Sequence, residues 1–354
     1  MRKLLLGVLG IGAMLLAAGQ PGQAQSVEDF YRGKTVKLNV GANNGGTYDI
    51  YSRLLAQFMG RHIPGNPTVL VENMPGASGT KSAQYIGEIA PKDGTVVGMF
   101  NQSMPQRQMF EPDQVHFDLT KYNWIGAMNT STTVFITWHE SGVKTLEDAK
   151  KKDVMMGAVS AIGGNSVYPL LLNSILGTRF KVVLGYVGGN TIQLAMERRE
   201  VDGRAAIVWS GLKAGWPDWL AQKKVNVLVQ TGLVKEKDIP EVPLLIDLGR
   251  NDEEKAIFRF ISSDSAMGFP LCAPPGVPAD RVAALRKAFD DTMKDPEFLT
   301  AAVDRKIEIA PSSGEDVKKV VEGMIGTPKE VIVRIKKELA DAEAQLEAAE
   351  KAKK

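Results

Sequence analysis

Three times in this chain an apolar strand runs into a glycine-containing loop and out into an amphipathic helix, and that repeated device limits the folds open to it. The first copy is Val36, Leu38 and Val40, then Gly41-Ala42-Asn43-Asn44-Gly45-Gly46-Thr47. A helix entered near Tyr48 and Asp49 follows, with Ile50, Leu54, Leu55, Phe58 and Met59 spaced to fill one face. The second is the β-branched run Pro67 to Glu72, the loop Asn73-Met74-Pro75-Gly76-Ala77-Ser78-Gly79-Thr80, and a helix carrying Ala83, Tyr85 and Ile86. The third runs from Val154 to Val159 through Ser160-Ala161-Ile162-Gly163-Gly164-Asn165-Ser166 into a helix with Val167, Leu170, Leu171 and Ile175 on its apolar side. Strands alternating with helices predict an α/β fold with mostly parallel sheets, in which ligands sit outside the carboxyl ends of the strands. A loop without side-chain bulk at that place lets a ligand approach the backbone, and the unpaired N–H groups of the following helix favour an anion. A tight turn without a ligand explains any one such loop equally well. The spacing matches neither G-x-G-x-x-G nor G-x-x-x-x-G-K-[ST], so it does not indicate a nucleotide.

A further strand, Thr95 to Phe100, ends at Asn101-Gln102-Ser103 and is expected to line the same crevice. Between Trp124 and Trp138 the chain is read as crossing out of the first domain. There follow a strand from Lys181 to Tyr186, a turn at Val187-Gly188-Gly189-Asn190, a helix from Thr191 to Arg198 and a strand from Arg204 to Trp209. Ala266 to Ala273 reads as the return crossing, and Pro274-Pro275-Gly276-Val277-Pro278 as the stop before a helix. The expected division is a leader at 1–24, one discontinuous lobe at 25–132 plus 268–354, and a second lobe at 133–267. The tail carries Ile332, Ile335, Leu339, Ala342, Leu346 and Ala349 at spacings of three and four, and reads as a helix docked on its own domain.

Arg2 and Lys3 before the apolar run Leu4 to Ala18, with Gly22-Gln23-Ala24 offering small residues, read as a signal peptide. Export to the periplasm is the expectation. The whole formal net charge of +2 resides in that segment, which leaves a charge-balanced chain without the basic footprint of a nucleic-acid or membrane binder. The single cysteine, Cys272, has no intramolecular disulfide partner.

Chemistry-bearing residues are sparse. His62, His116 and His139 have no metal-ligand spacing, and no G-x-S-x-G elbow occurs. Asp49, in the first helical turn, would repel an anion if it faced the ligand, so hydrogen bonding to nearby N–H groups is its simpler role. Arg204 offers a partner for a second ligand carboxylate, although its place at the start of a strand favours a structural role. Trp209, Trp216 and Trp219 read equally as a cover over an apolar ligand and as core. Gln102, Ser103 and Tyr186, at strand ends, are better placed. The competing enzyme reading would use Asp49 or Asp202 as general base in an interdomain cleft.

Several ordered segments together resemble one family. Gly45-Gly46-Thr47-Tyr48-Asp49 with Arg53, Glu72 to Gly79, Gly163-Gly164-Asn165-Ser166, Tyr186-Val187-Gly188-Gly189, Val201-Asp202-Gly203 and Ala273 to Pro278 appear in the order seen in the tripartite tricarboxylate transporter receptors, the Bug or TctC-like solute-binding proteins. The resemblance implies a two-domain periplasmic-binding-protein (Venus flytrap, type II-like) fold with two crossing segments. It also implies a small carboxylate ligand held between the lobes and delivery to a membrane permease of two subunits, without an ATPase, cofactor or metal. An ATP-driven uptake receptor of similar shape is the alternative within transport. Carried over position by position, the ligand contacts are Ala42, Asn44, Gly45, Gly46, Thr47 and Asp49, Gly76, Ala77, Ser78 and Gly79, and Gln102 and Ser103 in the first lobe. Ser160, Ile162, Gly163, Gly164, Asn165, Ser166, Tyr186, Gly189 and Trp209 face them from the second. The expected state is a monomer. Two departures from the family pattern are Asn43-Asn44 before the glycine pair, where a bulky apolar residue or proline is usual, and a longer, more charged tail.

Overall fold

The computed structural model describes residues 25–351 apart from 114, 131, 160–163 and 187–188, with only the backbone given at 78, 214, 342–343 and 345–351. The expected leader, Ser160, Ile162 and Gly163 therefore lie outside the described residues.

Two sheets form the frame. The first contains β1 (Thr35–Val40), β2 (Thr68–Asn73), β3 (Val96–Met99), β4 (Asn123–Asn129), β10 (Gly268–Ala273) and β11 (Ser312–Ser313) in the order β11-β4-β10-β3-β1-β2. The second contains β5 (Thr133–Trp138), β6 (Val154–Gly157), β7 (Phe180–Val183), β8 (Gly203–Val208) and β9 (Val225–Thr231) in the order β7-β6-β8-β5-β9. β1 pairs in parallel with β2 and β3, and β6 with β7 and β8, so most strands run one way. β10 runs against β3 and β4, and β5 against β8 and β9. The reason is geometric. β5 and β10 are the strands that carry the chain from one sheet into the other, so each leaves the gap between the sheets while its neighbours run toward it.

The strand edges fall close to the sequence reading, with one shift of consequence. β8 ends at Val208, and Trp209 opens a helix, Trp209–Gly215, instead of closing the strand. Helices Met104–Phe110, Pro296–Asp304 and Gly314–Ile325 were not legible in the sequence. The C-terminal helix, Lys329–Lys351, also departs from expectation. Val331, Ile332 and Ile335 are buried, and the helix lies against helices Gly164–Leu176, Asp252–Ser262 and Met104–Phe110. Arg334 pairs with Glu253 at 2.8 Å, and Ser174 donates to Glu338. The apolar stripe thus joins the two halves of the molecule. The side chains of Ala342, Leu346 and Ala349 lie outside the described residues.

The first sheet is sealed by tight packing on its helix side. Gly126 in β4 has no Cβ because the ring of Phe289, fully buried, occupies that place; an added Cβ would lie 2.2 Å from the ring. Gly126→Ala is therefore expected to cost about 1–3 kcal/mol through overpacking, read as a lower urea midpoint. Gly211→Ala is the control: it sits in a helix with its nearest neighbour at 3.8 Å, and is expected to be neutral or stabilising. Equal stability of the two variants would show that the ring yields.

Candidate functional site

The carboxyl ends of β1 and β3 and the loop after β2 meet at one point. A Cβ on Gly41 would lie 3.0 Å from the Phe100 Cβ and 3.1 Å from the Gly79 Cα, so Gly41 leaves room for both segments to approach. Asn73 Nδ2 donates to the Ala42 carbonyl at 3.1 Å and closes the first loop onto β2. In that loop Gly45 takes φ +78°, which favours glycine, while Gly46 is extended and forms the N-cap of helix Thr47–Met59. Gly46 has no side chain with which to accept from the helix's first-turn N–H groups, which remain available to a ligand. Asn43, Asn44, Gly45 and Thr47 are exposed.

The second loop is shaped by three residues at positive φ: Gly76 at 143°, Ala77 at 44° and Gly79 at 98°. Arg107 Nη1 and the Thr80 hydroxyl both donate to the Ala77 carbonyl, at 2.9 and 2.8 Å, and hold the turn open. At the end of β3 the Gln102 N–H donates to the Tyr48 hydroxyl at 3.1 Å, tying the third strand end to the first helical turn. The Tyr48 ring meets Phe269 of β10 edge-on, and Phe269 stacks on Tyr51, so the return strand also touches this corner.

Asp49 is buried and faces inward. It accepts from the Gly45 N–H at 2.8 Å, Arg53 Nε at 2.9 Å and Asn73 Nδ2 at 2.9 Å. The hydrogen bond from Arg53, with help from the Gly45 amide and Asn73, holds the carboxyl down at about 2. Asp49 therefore supports the glycine loop from behind, with its oxygens already engaged.

A carboxyl without a motif around it lies beside the end of β3. Asp264 lies in the short 3-10 turn before β10 and accepts from the Ser103 hydroxyl at 3.0 Å. Burial pushes its carboxyl up to about 6, against the lowering effect of the Ser103 hydrogen bond. Both residues line a cavity of about 530 Å³ together with Asn101, Gly164 and Tyr168. The cavity brings the end of β3 against the start of helix Gly164–Leu176, and it extends to Ile335 and Leu339 of the C-terminal helix.

On the second sheet Gly164 begins its helix against Ala206 of β8, and Asn165 is partly buried beside it. Ser166 is fully buried. Tyr186 lies over Gly157 at the end of β6, and Gly189 begins helix Gly189–Glu197 against Arg204. Trp209 is buried in the apolar cluster of this sheet, and its indole N–H donates to Asp238 at 3.0 Å. That placement makes its ring part of the core. Asp202 accepts from the Met155 N–H at 2.8 Å and pins β6 to the turn before β8.

The family described as tripartite tricarboxylate transporter family receptor matches residues 52–336. The chain belongs to that family. A Cupriavidus necator protein described as UPF0065 protein in gbd 5'region is 26% identical to the receptor over 300 residues, covering 82% of this chain and 84% of that one. A TctC solute-binding protein from Polaromonas shares its fold with a TM-score of 0.69 at 18% identity, over 86% of this chain and 99% of the other. MatC from Rhodopseudomonas palustris, solved with bound malate, matches with a TM-score of 0.56 at 18% identity over 84% and 99%. The receptor thus has the two-lobe α/β fold that its motifs implied.

Asp49 and Asp264 should respond to pH in opposite senses. Asp49 has its native value below its unfolded one near 3.9, so its contribution is present above about pH 4 and is lost as pH falls toward 2. Asp49→Asn is expected to cost about 1–2 kcal/mol at pH 7, discounted because Arg53 is half exposed. Asp264 has its native value raised, so its cost appears as pH climbs from about 4 to 6. Asp264→Asn is expected to stabilise the receptor by about 1–3 kcal/mol at pH 7 and by nothing at pH 4. Urea unfolding at the two pH values checks both; a destabilised Asp264→Asn at pH 7 would contradict the assignment.

Proposed function

We propose that the receptor captures a small organic acid by seating its carboxylate on main-chain N–H groups of the Ala42–Thr47 and Gly76–Gly79 loops. The carrying observation is the close approach of the Gly41 backbone to the Gly79 backbone and to the Phe100 Cβ, which supports reading the two bare loops as neighbours at one site. Charge-assisted hydrogen bonds of this kind contribute roughly 1.5–3 kcal/mol each. Neutral donors need no counter-ion of their own, so the site can empty when the lobes part. Residues 25–132 with 268–354 and residues 133–267 are taken as the lobes that close on the ligand, and Gln102, Ser103, Asn165 and Tyr186 as its polar surroundings. MatC is solved with malate and another Rhodopseudomonas palustris protein with adipate, which supports a small dicarboxylic acid as the ligand class.

The acid leaves unaltered in this reading. Both residues that an enzyme would have used as general base are engaged: Asp49 by three donors and Asp202 by the Met155 amide. A carboxyl held at about 2 is also a weak base. The receptor is proposed to act as an exported periplasmic monomer that hands its ligand to the two membrane subunits of a tripartite tricarboxylate permease.

Gly46→Val tests the site. Gly46 has φ −75° and ψ 166°, a conformation valine adopts, and an added Cβ meets only the Asn43 carbonyl at 3.2 Å. The variant is expected to keep its melting temperature within a few degrees and to lose affinity for malate, or for whichever acid in a panel shifts the wild type most, by about a hundredfold or more. Unchanged affinity in calorimetry would remove this loop from the site.

A further inference from the structure

The cavity beside the second glycine loop holds an acid with no cation to answer it. Asp264 and Ser103 line it, and Asn101, Met104 and Arg107 form the wall it shares with that loop. A Cβ on Gly79 would lie 3.3 Å from the Asn101 nitrogen, the Thr80 hydroxyl reaches the Met104 sulfur at 3.7 Å, and Arg107 donates to the Ala77 carbonyl at 2.9 Å. A second chain of contacts runs to the first loop. Ser103 donates to Asp264 at 3.0 Å, the N–H of the adjacent Gln102 donates to the Tyr48 hydroxyl at 3.1 Å, and Tyr48 is the second residue of helix Thr47–Met59. Burial raises the pKa of the Tyr48 hydroxyl, and the negative charge of Asp264 adds to the rise, so that charge is felt at the first helical turn.

The groups around Asp264 do not neutralise it. Burial and hydrogen bonds alone act on its carboxyl, and no cation among the described residues contributes. Across the cavity Arg107 pairs with Glu111 at 3.0 Å, Lys336 comes from the C-terminal helix, and Tyr168 spends its hydroxyl on the Ile261 carbonyl at 3.1 Å. The start of helix Gly164–Leu176 lines the cavity too, with only the partial charge of a helix end. Behind the turn, helix Gly314–Ile325 gives its charges to other partners: Glu315 to Arg286, Asp316 to Lys319 and Lys318 to Glu322. Arg259, in the last turn of the helix before Asp264, is exposed. β4 and β10, which also touch the turn, carry no Asp, Glu, Lys or Arg.

An anion seated on the loops therefore meets an unpaired negative charge a short chain of hydrogen bonds away. That repulsion is relieved when Asp264 binds a proton. An asparagine would fill the same place without charge; an aspartate makes affinity answer to pH. We propose that the receptor takes up a proton with its acid, and that Asp264 holds that proton. The proton comes from solvent and forms an O–H bond on the Asp264 carboxylate, while the ligand enters as its anion. The inference rests on the glycine loops receiving that anion. A bound anion favours the protonated carboxyl, so affinity rises as pH falls.

Calorimetry with whichever of malate, succinate and adipate stabilises the wild type most tests this. Affinity is expected to be about tenfold weaker at pH 8 than at pH 5.5, with the loss centred between about pH 6 and 7. Titrations at pH 6.5 in two buffers of different ionisation enthalpy should show about half a proton taken up per ligand. Any titration of the ligand itself appears equally in Asp264→Asn. That variant is otherwise expected to bind at pH 8 about as tightly as the wild type at pH 5.5, and to take up no proton at pH 6.5. Affinity that rises with pH, the result for a ligand whose own donor bonds the charged carboxyl, would overturn the proposal, as would a pH slope that Asp264→Asn leaves in place. Binding that ignores pH would overturn it while leaving the loops as the anion site. No binding of any of the three acids would overturn the loop reading and this inference with it.

Discussion

Everything at the candidate site depends on the carboxylate of Asp49 being spent on the protein itself. A loop such as Ala42–Thr47 has no side-chain mass to hold its shape, and Gly45 at φ +78° gives it conformational freedom that must be offset. Asp49 offsets it by accepting from the Gly45 amide while Asn73 ties the same carboxylate to the end of β2 and the Ala42 carbonyl. With the buried charge satisfied from behind, the first-turn amides of the following helix are left facing outward. The loop is therefore both bare and preorganised, and preorganisation lowers the entropy a ligand must give up on binding.

The two crossing strands explain how such a site can open. β4 passes into β5 and the segment before β10 returns, so the sheets are joined where their strand ends face one another. Across that junction runs a continuous apolar cluster that includes Phe100, Trp124, Phe135, Phe180, Phe260 and Ile335. The C-terminal helix adds Val331, Ile332 and Ile335 to it and contacts helices from both halves. Tyr48 meets Phe269 of the return strand, and Asp264, just before that strand, accepts from Ser103, so the return segment touches the same corner as the first helical turn and the end of β3.

Much of this was legible in the sequence because period and glycine placement are local properties. The strand–loop–helix copies at Val36, Thr68 and Val154 carried the α/β class and the proposal of which end of the sheets receives a ligand. What escaped was non-local. Asp264 sits in Ser262-Ser263-Asp264-Ser265, a polar stretch without periodicity, and only the tertiary approach of Ser103 gives it meaning. Trp209 read as a strand end because its neighbours are β-branched, yet the Thr132 carbonyl and Asp238 hold it at the head of a helix inside the core. The tail's stripe was visible, but its choice of partner depends on surfaces presented by distant helices.

The central claim is that main-chain amides, rather than reactive or charged side chains of the first lobe, receive the ligand's carboxylate. An amide-resolved NMR titration tests it most directly, using whichever acid of a panel led by malate stabilises the receptor most. The expected result is a saturable downfield shift of the Thr47, Tyr48 and Ala77 amide protons, all with one affinity that matches calorimetry. Saturable binding by calorimetry with those resonances unmoved would contradict the account.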